Sequence, residues 1–344
     1  MADLVLTSDN LTIGYAGARG AQRVVAAQLA PSLPAGTLVC LLGPNGAGKS
    51  TLLRTLAGMQ PPLQGEVMLA GQPISGFSAR DLARRLSVVL TERVQVGLLT
   101  AYELVALGRH PYTSWTGRLS AADHAVVVKA LDVVGATPLG QRKVLELSDG
   151  ERQKVLIARA LAQEPLVILL DEPTAFLDLP RRVEVMHILR ALAHEEGRSV
   201  LLSTHDLDLA LRNADLLWLL TPEGLLHAGT PEDLVLSGAF EATFAAEGVR
   251  FNRETGTFDI DRPVAGHLDL IGEGLPAIWT GRALERAGYE VTRGPNGSAR
   301  RVQVLPEAGN ARWQVREGQQ NNAYESVAAL LAALQARDAS GSGD

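Results

Sequence analysis

The sequence predicts an α/β fold with a mostly parallel sheet core, followed by a small C-terminal α+β domain. Three short, nearly continuous apolar runs predict strands of the core, at residues 166–170, 200–202 and 216–220. Runs of this kind are typical of parallel strands, because other elements cover both faces of such a sheet. Helical segments separate the runs, as connections between parallel strands require.

Two domains are expected. The first covers residues 1–250 and includes a helical part over about 95–165. In that part we expect a helix over 101–108 that ends at Gly108, and an amphipathic helix over 120–134 that begins with a serine cap. Short alternating segments and flanking turn residues predict further strands in this domain, at 11–13, 24–25 and 65–71.

The second domain is an α+β unit over residues 255–338, near the lower size for independent folding. Its expected elements are strands at 267–271, 289–292, 301–305 and 312–315, a turn at 294–297, and helices at 275–287 and 326–336. Residues 339–344 are expected to form a disordered tail. The domain has no metal-ligand spacing and no nucleophile constellation, so it either covers an edge or strengthens a dimer, or it regulates the first domain.

Composition and charge restrict the class of protein. The chain has 344 residues and a net charge of −6 with dispersed lysines and arginines, so no nucleic-acid partner is expected. Arg80, Arg84 and Arg85 cluster on a short predicted helix, and we expect them to form its solvated face. No apolar run approaches the ~18–20 residues that span a bilayer, and a signal peptide is not evident. The single cysteine, Cys40, agrees with a reducing compartment, so we expect a cytoplasmic protein.

A glycine-rich segment after a short apolar strand is the most specific motif. It fits G-x-x-x-x-G-K-[ST], the phosphate-binding P-loop, with Thr51 directly after it in the following helix. Glycines let backbone N–H groups point at phosphate oxygens, and the helix N-terminus adds a positive dipole end. Lys49 can reach the β- and γ-phosphates, and the Ser50 hydroxyl can bind Mg2+. The loop consists of Gly43, Pro44, Asn45, Gly46, Ala47, Gly48, Lys49 and Ser50.

Two acidic residues end the apolar run that begins at residue 166. Asp171 is placed to hold Mg2+, directly or through water, and Glu172 is placed to polarise the attacking water as a general base. Acidic residues often end strands at a surface, so the pair alone is a moderate signal. Its combination with the P-loop makes it a strong signal.

A third motif lies about 20 residues upstream of this pair and reads Leu147-Ser148-Asp149-Gly150-Glu151-Arg152-Gln153. It resembles the LSGGQ signature of ATP-binding cassette (ABC) ATPases. In that family a serine hydroxyl, a glycine amide and a helix N-terminus meet the γ-phosphate of ATP that is held on another subunit. The resemblance therefore assigns nucleotide binding to Ser148 and Gly150. Ser148 with Glu151 also fits an ordinary capping box. The position of the segment about 20 residues before the acidic pair favours the signature.

The resemblance covers residues 3–250 and implies further site residues. Tyr15 stands where the family has an aromatic ring that stacks on adenine; a strand-end core tyrosine is the alternative. Asp178 matches the family's loop that crosses the dimer interface, and His205 matches the histidine that contacts the γ-phosphate. The implied fold is a P-loop ABC ATPase domain with a mostly parallel sheet core, an antiparallel β subdomain and a helical subdomain.

Within the family, residues 103–112 and 115–119 resemble the ATPase subunits of ferric siderophore, haem or cobalamin importers. This resemblance implies a homodimer that uses ATP and Mg2+ and binds polytopic membrane permease subunits. It also implies an indirect link to a substrate-binding protein and a peripheral location on the inner face of the cell membrane. The family assigns cargo recognition to other subunits, so the sequence does not name the cargo.

Two positions depart from the family pattern. Thr91 stands where the family has a glutamine that touches Mg2+ and the attacking water; its hydroxyl, Glu92 or Gln95 could serve instead. Asp149 replaces a glycine, and its carboxylate would repel the γ-phosphate if it pointed inward. We expect it to point outward, so that the flanking serine and glycine bind the phosphate.

The leading hypothesis is an ATP-hydrolysing subunit that powers an importer. One alternative is a non-transport ABC ATPase acting on ribosomes or DNA. Such proteins tend to carry two cassettes or a long coiled-coil insertion, and this chain has neither. The other alternative is a nucleotide-sensing regulatory module in which slow hydrolysis makes ATP a switch. Turnover with and without a membrane partner separates this module from the transporter subunit.

Overall fold

The computed structural model describes residues 3–17, 22–90, 97–115, 117–245, 249–253, 255–260, 264–307, 310–318 and 320–341. The chain divides into two compact units, Met1–Asp259 and Ile260–Asp344. Across these described stretches, none of the helices combines the length and apolar character needed to cross a membrane.

The first unit contains thirteen of the strands found in the described residues, the last ending at its boundary. They are β1 (Leu4–Ala16), β2 (Gln22–Leu29), β3 (Ser32–Pro34), β4 (Leu38–Leu42), β5 (Gln64–Leu69), β6 (Gln72–Pro73), β7 (Leu86–Val89), β8 (Val167–Asp171), β9 (Ser199–Ser203), β10 (Leu216–Leu220), β11 (Leu226–Gly229), β12 (Val249–Asn252) and β13 (Thr257–Ile260). The helices are α1 (Lys49–Leu56), α2 (Ala79–Ala83), α3 (Ala101–Ala106), α4 (Ala121–Val133), α5 (Asp149–Leu161), α6 (Leu179–His194), α7 (Leu207–Asn213), α8 (Pro231–Leu236) and α9 (Ala239–Thr243).

The predicted parallel sheet is confirmed. Six strands lie in the order β11-β10-β4-β9-β8-β7, and all neighbours pair in parallel except β11, which pairs antiparallel with β10. Every residue of β4, β8 and β9 is buried, as the continuous apolar runs predict. Because the strands are parallel, the carboxyl ends of β4, β8 and β9 meet at one edge, where ligands bind in open α/β sheets.

Two apolar clusters cover the two faces of this sheet. In β4, Leu38, Cys40 and Leu42 belong to one cluster, whereas Val39 and Leu41 belong to the other. Cys40 is fully buried, and burial raises the pKa of its thiol, so it fills space in the core and is not a nucleophile. The second cluster includes an antiparallel sheet of order β2-β1-β5-β6, in which β3 also pairs with β1.

The helical part is formed by α3, α4 and α5, which pack on one another. The capped amphipathic helix is confirmed as α4, with a capping box between Ser120 and Asp123. The predicted stop at Gly108 is wrong, because α3 continues into a 3₁₀ turn over Leu107–Arg109. A Cβ atom at Gly108 would lie 2.3 Å from the carbonyl oxygen of Arg159, so this glycine permits close packing against α5 and does not end the helix.

The arginines in α2 and just after it contact other parts of the chain. Arg80 donates to the carbonyl oxygens of Pro111 and Thr113 at 2.7 and 2.8 Å. Arg84 donates to Pro111 as well, at 3.1 Å, and its guanidinium stacks 5.0 Å from the ring centroid of Tyr112. Arg80 is exposed as expected, whereas Arg84 and Arg85 are only partly exposed, and the distant loop at 111–113 presents carbonyl groups to Arg80 and Arg84.

The second unit is a five-stranded sheet covered by two helices. The strands are β14 (Gly266–Ile271), β15 (Tyr289–Arg293), β16 (Arg300–Glu307), β17 (Asn310–Glu317) and β18 (Gln320–Tyr324), and the helices are α10 (Gly274–Arg286) and α11 (Val327–Gly341). The sheet order is β15-β14-β16-β17-β18, with β14 parallel to β15 and β16. The expected tail is corrected: α11 continues through residues 339–341 because its alanine-rich pattern carries the helix onward, whereas 342–344 lie outside the described residues.

Candidate active site

The P-loop joins the end of β4 to α1, in the context that the motif requires. Its three glycines have positive φ angles of 156° at Gly43, 83° at Gly46 and 106° at Gly48. A Cβ atom at Gly43 would lie 2.3 Å from the carbonyl oxygen of Leu220, and one at Gly48 would lie 2.3 Å from Cγ1 of Val25. At these two positions both backbone conformation and space exclude a side chain.

Lys49 is buried and lies over the loop that precedes it. Its Nζ donates to the carbonyl oxygens of Gly43 at 2.8 Å and Pro44 at 3.1 Å. Burial lowers the pKa of Lys49, and the charges of Glu172 and Asp171 act in the opposite direction. The ammonium group is therefore held inside the curve of the loop, where an anion would bring it a stronger partner than the two carbonyls.

Ser50 and Asp171 meet at the carboxyl edge of the sheet. The Ser50 hydroxyl donates to Oδ1 of Asp171 at 3.1 Å, and the Ser203 hydroxyl donates to the same oxygen at 2.7 Å. Asp171 is only 8% exposed. A hydroxyl and a carboxylate are oxygen donors of the type that Mg2+ takes, with substrate phosphates and water completing its shell. These two residues therefore fit the predicted metal role.

Glu172 and His205 form the second pair of the site. Nε2 of His205 lies 2.7 Å from Oε1 of Glu172, and both side chains are partly exposed. Glu172 has a left-handed backbone conformation with φ of 50°, which is strained for a residue with a side chain. Its backbone N–H donates to the Ser203 hydroxyl at 2.9 Å, so the strand beside β8 holds this conformation.

Tyr15 lies at the end of β1, beside the start of α1. Its hydroxyl is 3.0 Å from Oγ1 of Thr51. The residue remains 46% exposed, so it is not the core tyrosine of the alternative interpretation. An exposed ring next to the P-loop helix is compatible with stacking on a base, and the contact with Thr51 links this ring to the first turn of α1.

The motif at 147–153 forms the start of α5. Ser148 is its N-cap: the Ser148 hydroxyl donates to Glu151 at 2.9 Å, and the Glu151 N–H donates to Ser148 Oγ at 3.3 Å. The amide of Ser148 also holds the pKa of Glu151 below its ordinary value. The capping-box interpretation is thus confirmed, and it leaves open what the hydroxyl binds in a complex. Asp149 is half-exposed and pairs with Arg152 at 3.5 Å.

The structure joins some of the expected site residues and not others. The P-loop, Asp171, Glu172 and His205 share one edge of the sheet. None of the hydrogen bonds found among the described residues links Ser148 or Gly150 to the P-loop. Asp178 is exposed and caps α6 by accepting the N–H of Arg181 at 3.0 Å. Thr91, with its possible substitutes at 92 and 95, lies outside the described residues.

Ser203 is a residue of the candidate site that the sequence analysis missed. It bonds the carboxylate of Asp171 and the amide of Glu172, and it is fully buried. A serine at the end of an apolar strand, two residues before His205, was the available signal. Ser203 can make these contacts because β8 and β9 pair in a register that places Ser203 opposite Asp171.

Comparison with known proteins identifies the arrangement. The family described as "ABC transporter" matches residues 27–175, and the one described as "Iron ABC transporter C-terminal domain" matches residues 265–335. The ferric enterobactin transport ATP-binding protein FepC of Escherichia coli is 36% identical over 261 residues, which are 76% of this chain and 91% of FepC. This chain belongs to the ABC transporter ATP-binding family. The cassette thus contains an ATPase site, which agrees with the resemblance inferred from its motifs.

Two further comparisons broaden the assignment of this cassette. The cobalamin import ATP-binding protein BtuD of Halobacterium salinarum is 38% identical over 273 residues, covering 77% of this chain and 68% of BtuD. The dimeric structure of MJ0796, a bacterial ABC transporter cassette, superposes with a TM-score of 0.57 at 26% identity and covers 66% of this chain and 98% of that one. The predicted fold class is confirmed.

Proposed function

We propose that this cassette powers an importer of an iron complex, such as a ferric siderophore or haem, or of cobalamin. The observation that carries the proposal is the combination of the hydrolytic edge, meaning the P-loop with Asp171, Glu172 and His205, with a second unit that matches an iron transporter C-terminal domain. Relatives named for ferric enterobactin transport and cobalamin import support the same class of cargo. Both are large metal chelates, and the proposal is limited to that class.

In the proposed complex, two copies associate head to tail and each ATP lies between them. One copy supplies the P-loop with Tyr15 beside it, and the other supplies Ser148 and Gly150 from the start of α5. The dimeric MJ0796 cassette supports a two-copy arrangement. ATP that bridges two copies favours the closed state, and its hydrolysis removes that preference, which gives the cycle its direction.

Each residue of the hydrolytic edge has a role that follows from its contacts. Lys49 would exchange the carbonyls of Gly43 and Pro44 for the β- and γ-phosphates. Ser50 and Asp171 would hold Mg2+, which when bound neutralises charge on the phosphate oxygens. Glu172 would accept a proton from the attacking water, and His205 would orient that carboxylate while facing the γ-phosphate.

The partners of the proposed assembly are permease subunits at the inner face of the cell membrane, which in turn engage a substrate-binding protein. Trp115 is 97% exposed and Leu107 is 53% exposed, so the segment that resembles the importer subunits presents apolar side chains outward. Large exposed apolar side chains suit a protein partner. This surface supports the transporter hypothesis over an isolated regulatory module.

The substitution Glu172→Gln tests this proposal. It removes the general base and keeps the shape of the side chain, so turnover should fall by about 10²-fold or more while ATP binding persists and a dimer accumulates. The variant, tagged and purified in mild detergent, should retain a polytopic membrane protein in about equal amount. Ribosomal proteins, DNA or no partner would contradict the transporter role, and parent-like hydrolysis would contradict the role of Glu172.

Cargo is tested separately with the purified complex in vesicles. ATP-dependent uptake of a radiolabelled ferric siderophore, haem or cobalamin should be detected and should be absent with Glu172→Gln. Transport of none of the three would contradict the cargo class and leave the ATPase assignment intact.

A further inference from the structure

Arg181 lies directly on the glycine of the motif at the start of α5. A Cβ atom at Gly150 would stand 3.1 Å from Cδ, 3.2 Å from Cγ and 3.5 Å from Cβ of Arg181. The aliphatic part of Arg181 therefore covers the α-carbon of Gly150. The side chain is nevertheless 48% exposed, so solvent still reaches the residue. A strong cation thus lies beside the glycine that the proposed complex places against the γ-phosphate.

The backbone of Arg181 is tied to the other expected interface residue. Its N–H donates to Oδ1 of Asp178, the N-cap of α6, at 3.0 Å. Arg181 therefore belongs to the first turn of a sixteen-residue helix and touches the start of α5. Two elements that face the partner in the proposed dimer meet at this one residue.

The present partner of the guanidinium can be given up at small cost. Nη1 of Arg181 lies 2.6 Å from Oε2 of Glu184, and Nζ of Lys154 lies 2.9 Å from the other oxygen. Lys154 is much less exposed than Arg181. If Arg181 leaves, Glu184 keeps a charged partner, so the move does not produce an unpaired carboxylate.

The acidic residues around Gly150 would repel a phosphate, and a nearby cation would offset that repulsion. The first turn of α5 carries two acidic residues, Asp149 and Glu151, on either side of the glycine. Asp149 pairs with Arg152 and Glu151 pairs with Arg142 at 2.9 Å, so both arginines are already engaged beside the motif. An approaching phosphate would meet these acids as well as the helix N-terminus. Arg181 and Lys154 share Glu184 as partner, and Arg181 is the more exposed of the two.

We propose that Arg181 contacts the nucleotide in trans: when the dimer closes, its guanidinium moves from Glu184 to the γ-phosphate of the ATP on the partner's P-loop. The inference rests on the proposed head-to-tail function and deepens it. Arginine suits the role because its planar fork can donate two hydrogen bonds to phosphate oxygens. The added positive charge offsets Asp149, which replaces the glycine of the family signature.

The test measures ATP-driven dimerisation by sedimentation velocity in the Glu172→Gln background. Adding Arg181→Ala should weaken dimerisation about tenfold or more, because a charge-assisted hydrogen bond is lost. Binding of a fluorescent ATP analogue to the dilute monomer should not change, since the P-loop of the same chain is untouched. Arg181→Lys should restore part of the dimerisation. Arg190→Ala is the matched control, because Arg190 lies on the same helix and donates to the carbonyl of Asn213.

A second variant separates this role from a structural one. Glu184→Gln keeps an oxygen acceptor for Lys154 and loosens the hold on Arg181, so dimerisation should stay equal or become tighter. If the pair with Glu184 serves only to fasten α6, Glu184→Gln should weaken dimerisation as much as Arg181→Ala. Undiminished dimerisation with Arg181→Ala overturns the inference alone. Failure of Glu172→Gln itself to dimerise with ATP overturns the composite site and the inference together.

Discussion

The hydrolytic edge of this cassette and its signature edge, which is the motif at 147–153 at the start of α5, are built in opposite ways. Contacts on the hydrolytic edge join residues far apart in sequence, such as Ser50 with Asp171 and Glu172 with His205. Polar contacts at the signature include local ones, such as Ser148 with Glu151 and Asp149 with Arg152, although Gly150 packs against the distant Arg181. One edge is therefore assembled by the fold of a single chain, whereas the signature satisfies polar groups of its own helix start and, in the proposed dimer, would exchange those contacts for the partner's nucleotide.

Lys49→Ala should have the largest effect, because it breaks the hydrolytic edge itself. The substitution removes the cation that would face the phosphates, so ATP affinity should fall at least about tenfold. Titration calorimetry with the monomer measures the change. Lys129→Ala serves as control, since Lys129 pairs with Glu196 and is 66% exposed. Unchanged ATP affinity with Lys49→Ala would contradict the assignment of the P-loop.

Gly48→Ala and Gly150→Ala compare the two edges with one chemical change. At Gly48 the methyl group meets Val25 in a left-handed backbone, so the free energy of unfolding should fall by about 2 kcal/mol or more and ATP binding should weaken. At Gly150 the methyl group meets the stem of Arg181, which can shift, so the monomer should unfold as before. Only ATP-driven dimerisation should suffer there. A lower free energy of unfolding for the Gly150→Ala monomer would mean that Gly150, like Gly48, is required for the fold of the single chain.

Ser148→Ala and Thr100→Ala separate capping from ligand binding. Both residues form capping boxes, so each substitution should lower the free energy of unfolding by about 1 kcal/mol. Denaturant titration measures this shared cost. ATP-driven dimerisation should weaken with Ser148→Ala but not with Thr100→Ala. Equal dimerisation in the two variants would mean that Ser148 only caps α5.

Asp149→Gly should have the smallest effect and the opposite sign. Removing a carboxylate near the phosphate position should strengthen ATP-driven dimerisation a few-fold at low salt, and the gain should shrink as salt is added. Asp208→Gly is the control, because Asp208 is likewise an arginine-paired acid in the first turn of a helix, α7. A weaker dimer with Asp149→Gly would indicate that this carboxylate binds the partner.

Local patterns specify the parts of the hydrolytic edge, which is why the sequence could indicate residues that the structure brings together. Strands β4, β8 and β10 contain nearly continuous apolar runs, and the P-loop and the acidic pair stand at the ends of two of them. The order of the motifs then indicated the family. Parallel pairing of β8 and β9 brings Glu172 and His205 together, since each lies just beyond the end of one of these neighbouring strands.

Features that depend on contacts between distant segments were missed. Ser203 gains its role from the strand beside it, and Arg80 and Arg84 from the loop at 111–113. In the sequence Gly108 was interpreted as a helix stop, because the carbonyl oxygen that excludes a side chain there belongs to another helix and is not visible in the local pattern. Strand β18 was not predicted because it has little apolar character and lies, largely exposed, at the edge of its sheet. No periodic pattern reports contacts of this kind.

The left-handed backbone at Glu172 sets a limit on engineering this subunit. Glycine adopts that conformation without strain, so Glu172→Gly relieves a local cost that the folded chain otherwise bears. A directed-evolution campaign that rewards heat resistance alone would be drawn toward this position. It would then select a more thermostable subunit that has lost the carboxylate proposed to activate water. Screens of this chain for heat resistance therefore need a paired selection for uptake.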